Sequence, residues 1–305
     1  GDGSINSATN VKNLIFKIFI LYSLLSLIIF ILLNLSEVRL FNSLNLTMTL
    51  ISTGGFIPTN SLNKIISTNL QKIIFIFSLL LSMLNLFLIF NIFKTKILFR
   101  EHKEDFYLIF VSLILILLVF LNNFSGLDII ISVLSSISNS GLSIIEADKN
   151  LGLYFLLITL IGGSLISNSS GIKLTRLVIL LKTTSIEIIK LISPNSIINK
   201  NIFNSEKKIT DDYIKISFLI FISFFISIFI LSGILIIDNI DFEKSFKLSI
   251  LTITNTTNSE MFGLEEMGFA NLLTSSKLSL IIFMIIGKIE LISIFLVLKK
   301  VFFKN

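Results

Sequence analysis

Apolar residues run along this chain in blocks too long for the core helices of most soluble domains. Six blocks, at roughly 13–34, 70–93, 106–122, 152–182, 213–237 and 277–298, reach or approach the ~20 residues with which a helix crosses a bilayer core. Inside each successive pair lies a shorter apolar stretch: "RLFNSLNLTMTLI" (39–51), "LDIIISVLSSIS" (127–138) and "FEKSFKLSILTIT" (242–254). Such lengths cannot span and predict re-entrant or interfacial helices. Each runs directly into a polar patch, "STGGF", "SNSGL" or "NTTNSEMFG". The order long helix, short helix, polar loop, long helix therefore occurs three times. It predicts an all-α polytopic membrane protein of three repeats. The first covers 1–105 with its loop region at 39–60, the second 106–182 with 127–145, and the third 213–305 with 242–263; a linker at 183–212 turns at "SPNS" (193–196).

Composition agrees. Only 14% of the 305 residues are charged and mean hydropathy is +0.94, against about a quarter charged in ordinary soluble domains. The net charge of +6 would suit nucleic acid or anionic lipid, but its placement decides otherwise. Basic residues concentrate in the connections between repeats, "KTKILFREHKED" (94–105), the stretch 182–215 and the tail with Lys299, Lys300 and Lys304. Glu146, Asp148, Glu260, Glu265 and Glu266 lie beside the short helices. By the positive-inside rule the connections are cytoplasmic and the short-helix loops external, so the basic residues mark topology and no nucleic-acid partner is expected. The chain contains no Cys and a single His, His102, which removes thiolate sites and disulfides. No P-loop or dinucleotide fingerprint is present. The start, "GDGSINSATNVKN", lacks the pattern of a signal peptide and lacks an initiator Met, as a fragment would.

Non-helical backbone carries unpaired N–H and C=O groups and survives at membrane depth only where it is buried in protein or lines a water-filled path. A short helix ending in "STGGF" presents carbonyl oxygens to such a path, and rings of carbonyls can replace the hydration shell of a monovalent cation. Glycines allow the positive-φ conformations this needs, and the partially negative C-terminal end of each short helix favours a cation. The plainer reading of Gly54-Gly55 is a turn between two helices; the threefold occurrence favours an ion pathway. A further break, "SLISNSSG" (164–171), interrupts the 152–182 block after Gly162 and Gly163, and reads as an intramembrane loop or as a kinked helix packed closely on a neighbour. Lys288 and Glu290 sit within the last apolar block, where charges usually face a cavity or a partner. Lys173 and Arg176 read as positive-inside anchors.

These motifs resemble the pore-forming subunit of the Trk/Ktr potassium-transporter superfamily, in its TrkH-like bacterial branch. "STGGF" is similar to the second pore loop of that family. "GGSLISNSSGIKLTR" (162–176) is similar to its glycine-rich break, and "GKIEL" (287–291) to its Gly-Arg-Leu-Glu motif with Lys288 in place of Arg. "LISPNSI" (191–197) resembles its linker. The match runs from about Asn10 to Val301 and corresponds to the second, third and fourth of four fused helix–pore-loop–helix units around one pore. The resemblance implies potassium uptake across the bacterial cytoplasmic (inner) membrane. It implies an ion filter at Ser52, Thr53, Gly54, Gly55, Phe56, Asn139, Ser140, Gly141, Asn255, Thr256, Thr257 and Asn258. It also implies a gate at Gly162, Gly163, Ser164, Ser167, Asn168, Ser169, Ser170, Gly171 and Lys288, with Glu290 as a structural charge. K+ would be the transported ion, held only at the filter, with no organic cofactor. The expected partners are the lipid bilayer, a second copy in a homodimer, and a cytoplasmic nucleotide-binding regulator like TrkA.

The chain departs from the family in two places. The third loop has Thr257 or Asn258 where the family has a filter glycine, which loosens the expectation of K+ over Na+. The first unit is missing, and truncation is its simplest explanation; an incomplete or non-conducting subunit is the alternative. An intramembrane hydrolase would need a nucleophile and base within reach, and no His or paired Asp lies inside the spans. The expectation is a transporter, not an enzyme.

Overall fold

The computed structural model of the chain describes residues 2–59, 61–88, 102–121, 126–145, 149–194, 199–204, 208–256, 260–264 and 272–289. Among these residues the structure is helical, with no named strand. In chain order the α-helices are α1 (Asp2–Leu35), α2 (Leu40–Ser52), α3 (Asn69–Met83), α4 (Lys103–Phe120), α5 (Leu127–Ser138), α6 (Lys149–Thr159), α7 (Leu174–Ile192), α8 (Asp211–Ile237), α9 (Phe242–Ile253) and α10 (Thr274–Ile289). The short apolar stretches form α2, α5 and α9. They pack, respectively, against α1, against α3 and α6, and against α8 and α10.

The repeat extends to individual hydrogen bonds. α1 ends at a left-handed residue, Glu37 (φ 65°), with Glu37 N–H donating to the Asn34 carbonyl and Val38 N–H to that of Leu33. α8 ends identically at Asn239 (φ 64°), through Ile236 and Leu235. Such caps satisfy the last carbonyls of a helix while reversing the chain. In the following helices Ser43 Oγ donates to the Val38 carbonyl and Ser245 Oγ to that of Ile240. α3 begins with a capping box in which Thr68 Oγ1 accepts from Gln71 N–H and Gln71 Oε1 accepts from Thr68 N–H. The Gln71 side-chain amide then reaches the Ser36 carbonyl (3.0 Å). The end of α1 and the start of α3 are thereby pinned together, leaving α2 and its loop folded between them.

The outer helices α4 and α8 carry their serines inward and large apolar side chains outward, unlike surface helices of a water-soluble protein. Along α8, Ser217, Ser223, Ser227 and Ser232 face inward while Phe218, Leu219, Ile226, Phe229 and Ile230 face outward; α4 likewise buries Ser112 and exposes Phe110, Leu113 and Leu117. Ser112, Ser223 and Ser232 donate three residues back, and Ser227 four residues back, to carbonyls of their own helices, so the polar groups are satisfied without water. Outward apolar faces of this extent suit hydrocarbon, not solvent. Among the described residues two helices, Ile15–Leu35 and Asp211–Ile237, are individually long and apolar enough to cross a membrane.

The last span of the second repeat breaks more widely than its sequence suggests. α6 stops at Thr159 and α7 starts at Leu174, so the interruption is 160–173, and α7 then continues to Ile192. Beyond it, residues 199–204 and 208–209 fold back on the helices: Ile202, Phe203 and Ile209 pack on Ile179, Phe203 lies 5.0 Å from the Tyr107 ring, and Lys182 Nζ donates to the Asn201 carbonyl.

Candidate functional site: three loops, a looped-out segment and two lysines

Each short helix ends in the same way. At α2, Thr53 N–H donates to the Leu50 carbonyl and Gly54 N–H to that of Thr49; at α5, Asn139 to Ser136 and Ser140 to Ser135; at α9, Asn255 to Thr252 and Thr256 to Leu251. The residue closing each motif is left-handed: Thr53 (φ 52°), Asn139 (φ 61°) and Asn255 (φ 55°). Two residues later the chain turns left-handed again, at Gly55 (φ 72°) and Gly141 (φ 65°). The left-handed residue stops each helix, and the bonds around it satisfy two carbonyls of the last turn. Gly54, expected to share the positive-φ role, does not take it; Thr53 does, despite its branched side chain, and this is costly without tertiary support. That support is visible. Thr53 is fully buried, and its hydroxyl lies 2.7 Å from the Ser52 carbonyl and 3.2 Å from that of Asn168.

The other two loops are anchored by their left-handed asparagines. Asn139 Nδ2 donates to the Thr159 carbonyl at the end of α6, and Asn255 Nδ2 to the Met284 carbonyl inside α10. Ser140 Oγ exchanges hydrogen bonds with the hydroxyls of Ser135 and Ser138, and Thr256 Oγ1 lies 2.9 Å from Thr254 Oγ1. Gly287 lets α10 approach α9: a Cβ there would sit 2.0 Å from the Ile253 carbonyl oxygen. Of the expected filter set, Phe56 is 69% exposed and Ser52 is exposed as well, whereas Thr53, Gly55, Asn139, Ser140, Gly141 and Thr256 are buried. Thr257, Asn258 and Glu290 lie outside the described residues.

The segment 160–173 is a closed loop with a glycine neck. Gly162 (φ 70°) and Gly171 (φ 82°) meet so tightly that a Cβ on Gly162 would stand 2.3 Å from the Ser170 carbonyl oxygen. Ile172 N–H donates to the Leu160 carbonyl and Leu174 N–H to that of Gly163, which rejoins the chain across the neck. The loop also pairs with the break at the end of α3. Ser164 N–H donates to the Met83 carbonyl and Leu86 N–H to that of Ile166, both at 3.0 Å. Within the loop, Ser167 Oγ donates to the Ser164 carbonyl, and Ser169 Oγ accepts from Gly163 N–H. The hydroxyls of Ser164 and Ser170 are buried without a protein partner.

Two lysines order this region. Lys173 is not the interfacial anchor its position suggests: it is 4% exposed, and its ammonium is shared among the carbonyl and hydroxyl oxygens of Ser167 and Ser169. Arg176 is buried beside it in sequence. Lys288 comes in from α10 and donates to the Ser52 carbonyl (2.8 Å), the Thr53 hydroxyl (2.9 Å) and the Asn168 carbonyl (2.8 Å). Asn168 completes the junction by donating through Nδ2 to the Ile51 carbonyl. The structure thus brings Ser52, Thr53, Asn168 and Lys288 together across three elements, while the second and third loops join their own following helices. Beneath the first loop a cavity of about 310 Å³ is lined by Ser52, Asn168, Ser170, Lys173 and Lys288 among others. Among the described residues no group of three or more His, Asp or Glu side chains converges as a metal site would require.

Sequence reasoning missed two participants. Glu104 accepts from Leu165 N–H (2.8 Å) on the loop, and Asp105 accepts from Asn85 N–H (2.9 Å) at the break after α3 while pairing with His102. Their only signal was position, in the charged run that opens α4.

No family model matches the chain. It is 25% identical over 319 aligned positions to a cation transporter of Methanocaldococcus jannaschii, itself described as uncharacterized; the alignment covers 98% of this chain and 61% of that protein. The structure superposes on the crystal structure of the potassium transporter TrkH from Vibrio parahaemolyticus with a TM-score of 0.82 and 18% identity, over 95% of this chain and 64% of that one. The chain therefore spans less than two thirds of either relative. This chain has a TrkH-like fold.

Proposed function

We propose that this chain is the greater part of a Trk/Ktr-type cation transporter subunit, conducting K+ through a pore whose filter is formed by the loops at 52–56, 139–141 and 255–258. The supporting observation is the position of Lys288. A side-chain cation already occupies a nest of two carbonyls and a hydroxyl at the first loop. Neutral oxygens that hold an ammonium can hold a dehydrated alkali cation, and without a carboxylate they release it again, which conduction requires. The helix ends behind the loops add their partial negative charge. On this reading the loop 160–173 is the gate and Lys288 its tethered plug, because the ammonium links Asn168 of the loop to Ser52 and Thr53 of the filter. The whole protein would sit in the cytoplasmic membrane as a homodimer under a nucleotide-binding regulatory subunit, as the resemblance implies.

The threonine and asparagine at the third loop favour a second, narrower reading, a transporter that admits Na+ beside K+. The test is tracer uptake into liposomes holding the full-length protein. Gly55→Asp would place a carboxylate at a buried, left-handed filter position and is expected to abolish Rb+ uptake while leaving membrane insertion intact. Unchanged uptake removes Gly55 from the pathway. Competition by Na+ against Rb+ separates the two selectivities.

A further inference from the structure

The first turn of α4 holds the exposed stretch of the loop 160–173. Glu104 Oε1 accepts a hydrogen bond from Leu165 N–H at 2.8 Å. One residue on, Asp105 accepts from Asn85 N–H and lies 2.8 Å from His102 Nδ1, with both side chains buried. The same helical turn therefore grips the loop through Leu165 and the α3 break through Asn85. Those two segments are themselves joined by the bonds of Ser164 to Met83 and of Leu86 to Ile166. Tyr107, one turn along α4, rests against Phe203 of the linker, which fixes the helix end that carries Glu104.

We propose that Glu104 is a positioning residue for the gate: its carboxylate latches Leu165 to α4 and keeps the loop 160–173 folded across the cavity. This rests on the reading of that loop as a gate. Three features set Glu104 apart from an ordinary helix-start acid. Its partner is the backbone of a segment far away in sequence. That segment bonds no other acidic side chain among the bonds described for it. The link is a charge-assisted bond at the loop's most exposed stretch, where Leu165 and Ile166 face outward. Losing the latch leaves the Leu165 stretch held only by the bonds of Ser164 to Met83 and of Leu86 to Ile166, while Lys173 still ties Ser167 to Ser169, so the stretch loosens without the loop unravelling.

The test uses the absence of cysteine from the chain. Ser170, buried and lining the cavity, is changed to Cys in the full-length protein freed of any cysteine elsewhere. Its modification by a membrane-impermeant maleimide is timed in liposomes. Adding Glu104→Ala is expected to speed modification at least about tenfold, the scale of one charge-assisted hydrogen bond. Glu104→Gln, which retains an acceptor oxygen, is expected to restore the slow rate. Equal rates with and without Glu104→Ala overturn the proposal, as does a glutamine protein as fast as the alanine one. If the alanine protein does not insert, Glu104→Asp decides instead: its shortened reach must also accelerate modification, and a native rate overturns the latch. Labelling is independent of ion flow, so a parent protein that carries no cation refutes the proposed function while the latch is judged on its own rate.

Discussion

Lys288 offers the sharpest perturbation. Its ammonium lies among three oxygens at 2.8, 2.9 and 2.8 Å, bridging the loop after α2 and the segment 160–173. Methionine keeps an unbranched stem of similar length and removes the charge. A permeating cation some ~6 Å away would meet a repulsion of about 3 kcal/mol at an effective dielectric near ~20. Lifting that barrier corresponds to roughly a hundredfold in rate. The change also deletes up to three charge-assisted bonds that hold the loop to the filter, which acts in the same direction. Lys288→Met is therefore expected to raise Rb+ uptake by one to two orders of magnitude in proteoliposomes, with Lys288→Arg, which keeps the charge, near the parent rate. Uptake in the methionine protein equal to or below the parent's, with the protein folded and inserted, would refute the idea that this ammonium obstructs the path.

Other expectations follow from close contacts and charge. Gly162→Ala adds a Cβ 2.3 Å from the Ser170 carbonyl oxygen at φ 70°; a loss on the order of 2–3 kcal/mol should appear as a lower detergent melting temperature, and a native melt would remove the glycine neck from the argument. Gly287→Ala, aimed at the Ile253 carbonyl, should destabilise comparably and push α10 from α9, whereas Gly233→Ala, with open space around it, should be silent in the same melt. Asp238 accepts hydrogen bonds from the hydroxyls of Ser276 and Ser275, which hold its carboxyl below the usual carboxylate range. Its contribution to stability is then fully present above the ordinary Asp pKa of about 4 and is lost as pH falls through the lowered value. Acid melts of Ser276→Ala should show less of that loss; an identical acid profile would discount the contact.

Much of the architecture is written locally. Long apolar blocks, short apolar blocks and the polar patches after them encode spans and half-helices, because length against bilayer thickness and hydropathy are properties of a segment alone. "STGGF" and the paired glycines at 162–163 also announce themselves, since few residues other than glycine fit where backbones turn left-handed or touch. Local sequence does not say that Thr53, a poor left-handed residue, closes the first half-helix in place of Gly54; burial and the bond to Asn168 across the fold decide it. Nor does it say that Lys173 turns inward. At a helix start near a membrane face, a lysine snorkels by default, and only the loop's converging oxygens make burial affordable. Lys288 was legible as an intramembrane charge, but its partners Ser52 and Asn168 lie on elements distant in sequence. Glu104 looked like one more acid in a charged connection. Sequence by itself determined where the apolar helices lie and where polar loops interrupt them; the tertiary structure alone decided which oxygens face which cations, because that depends on helices meeting that no local pattern brings together.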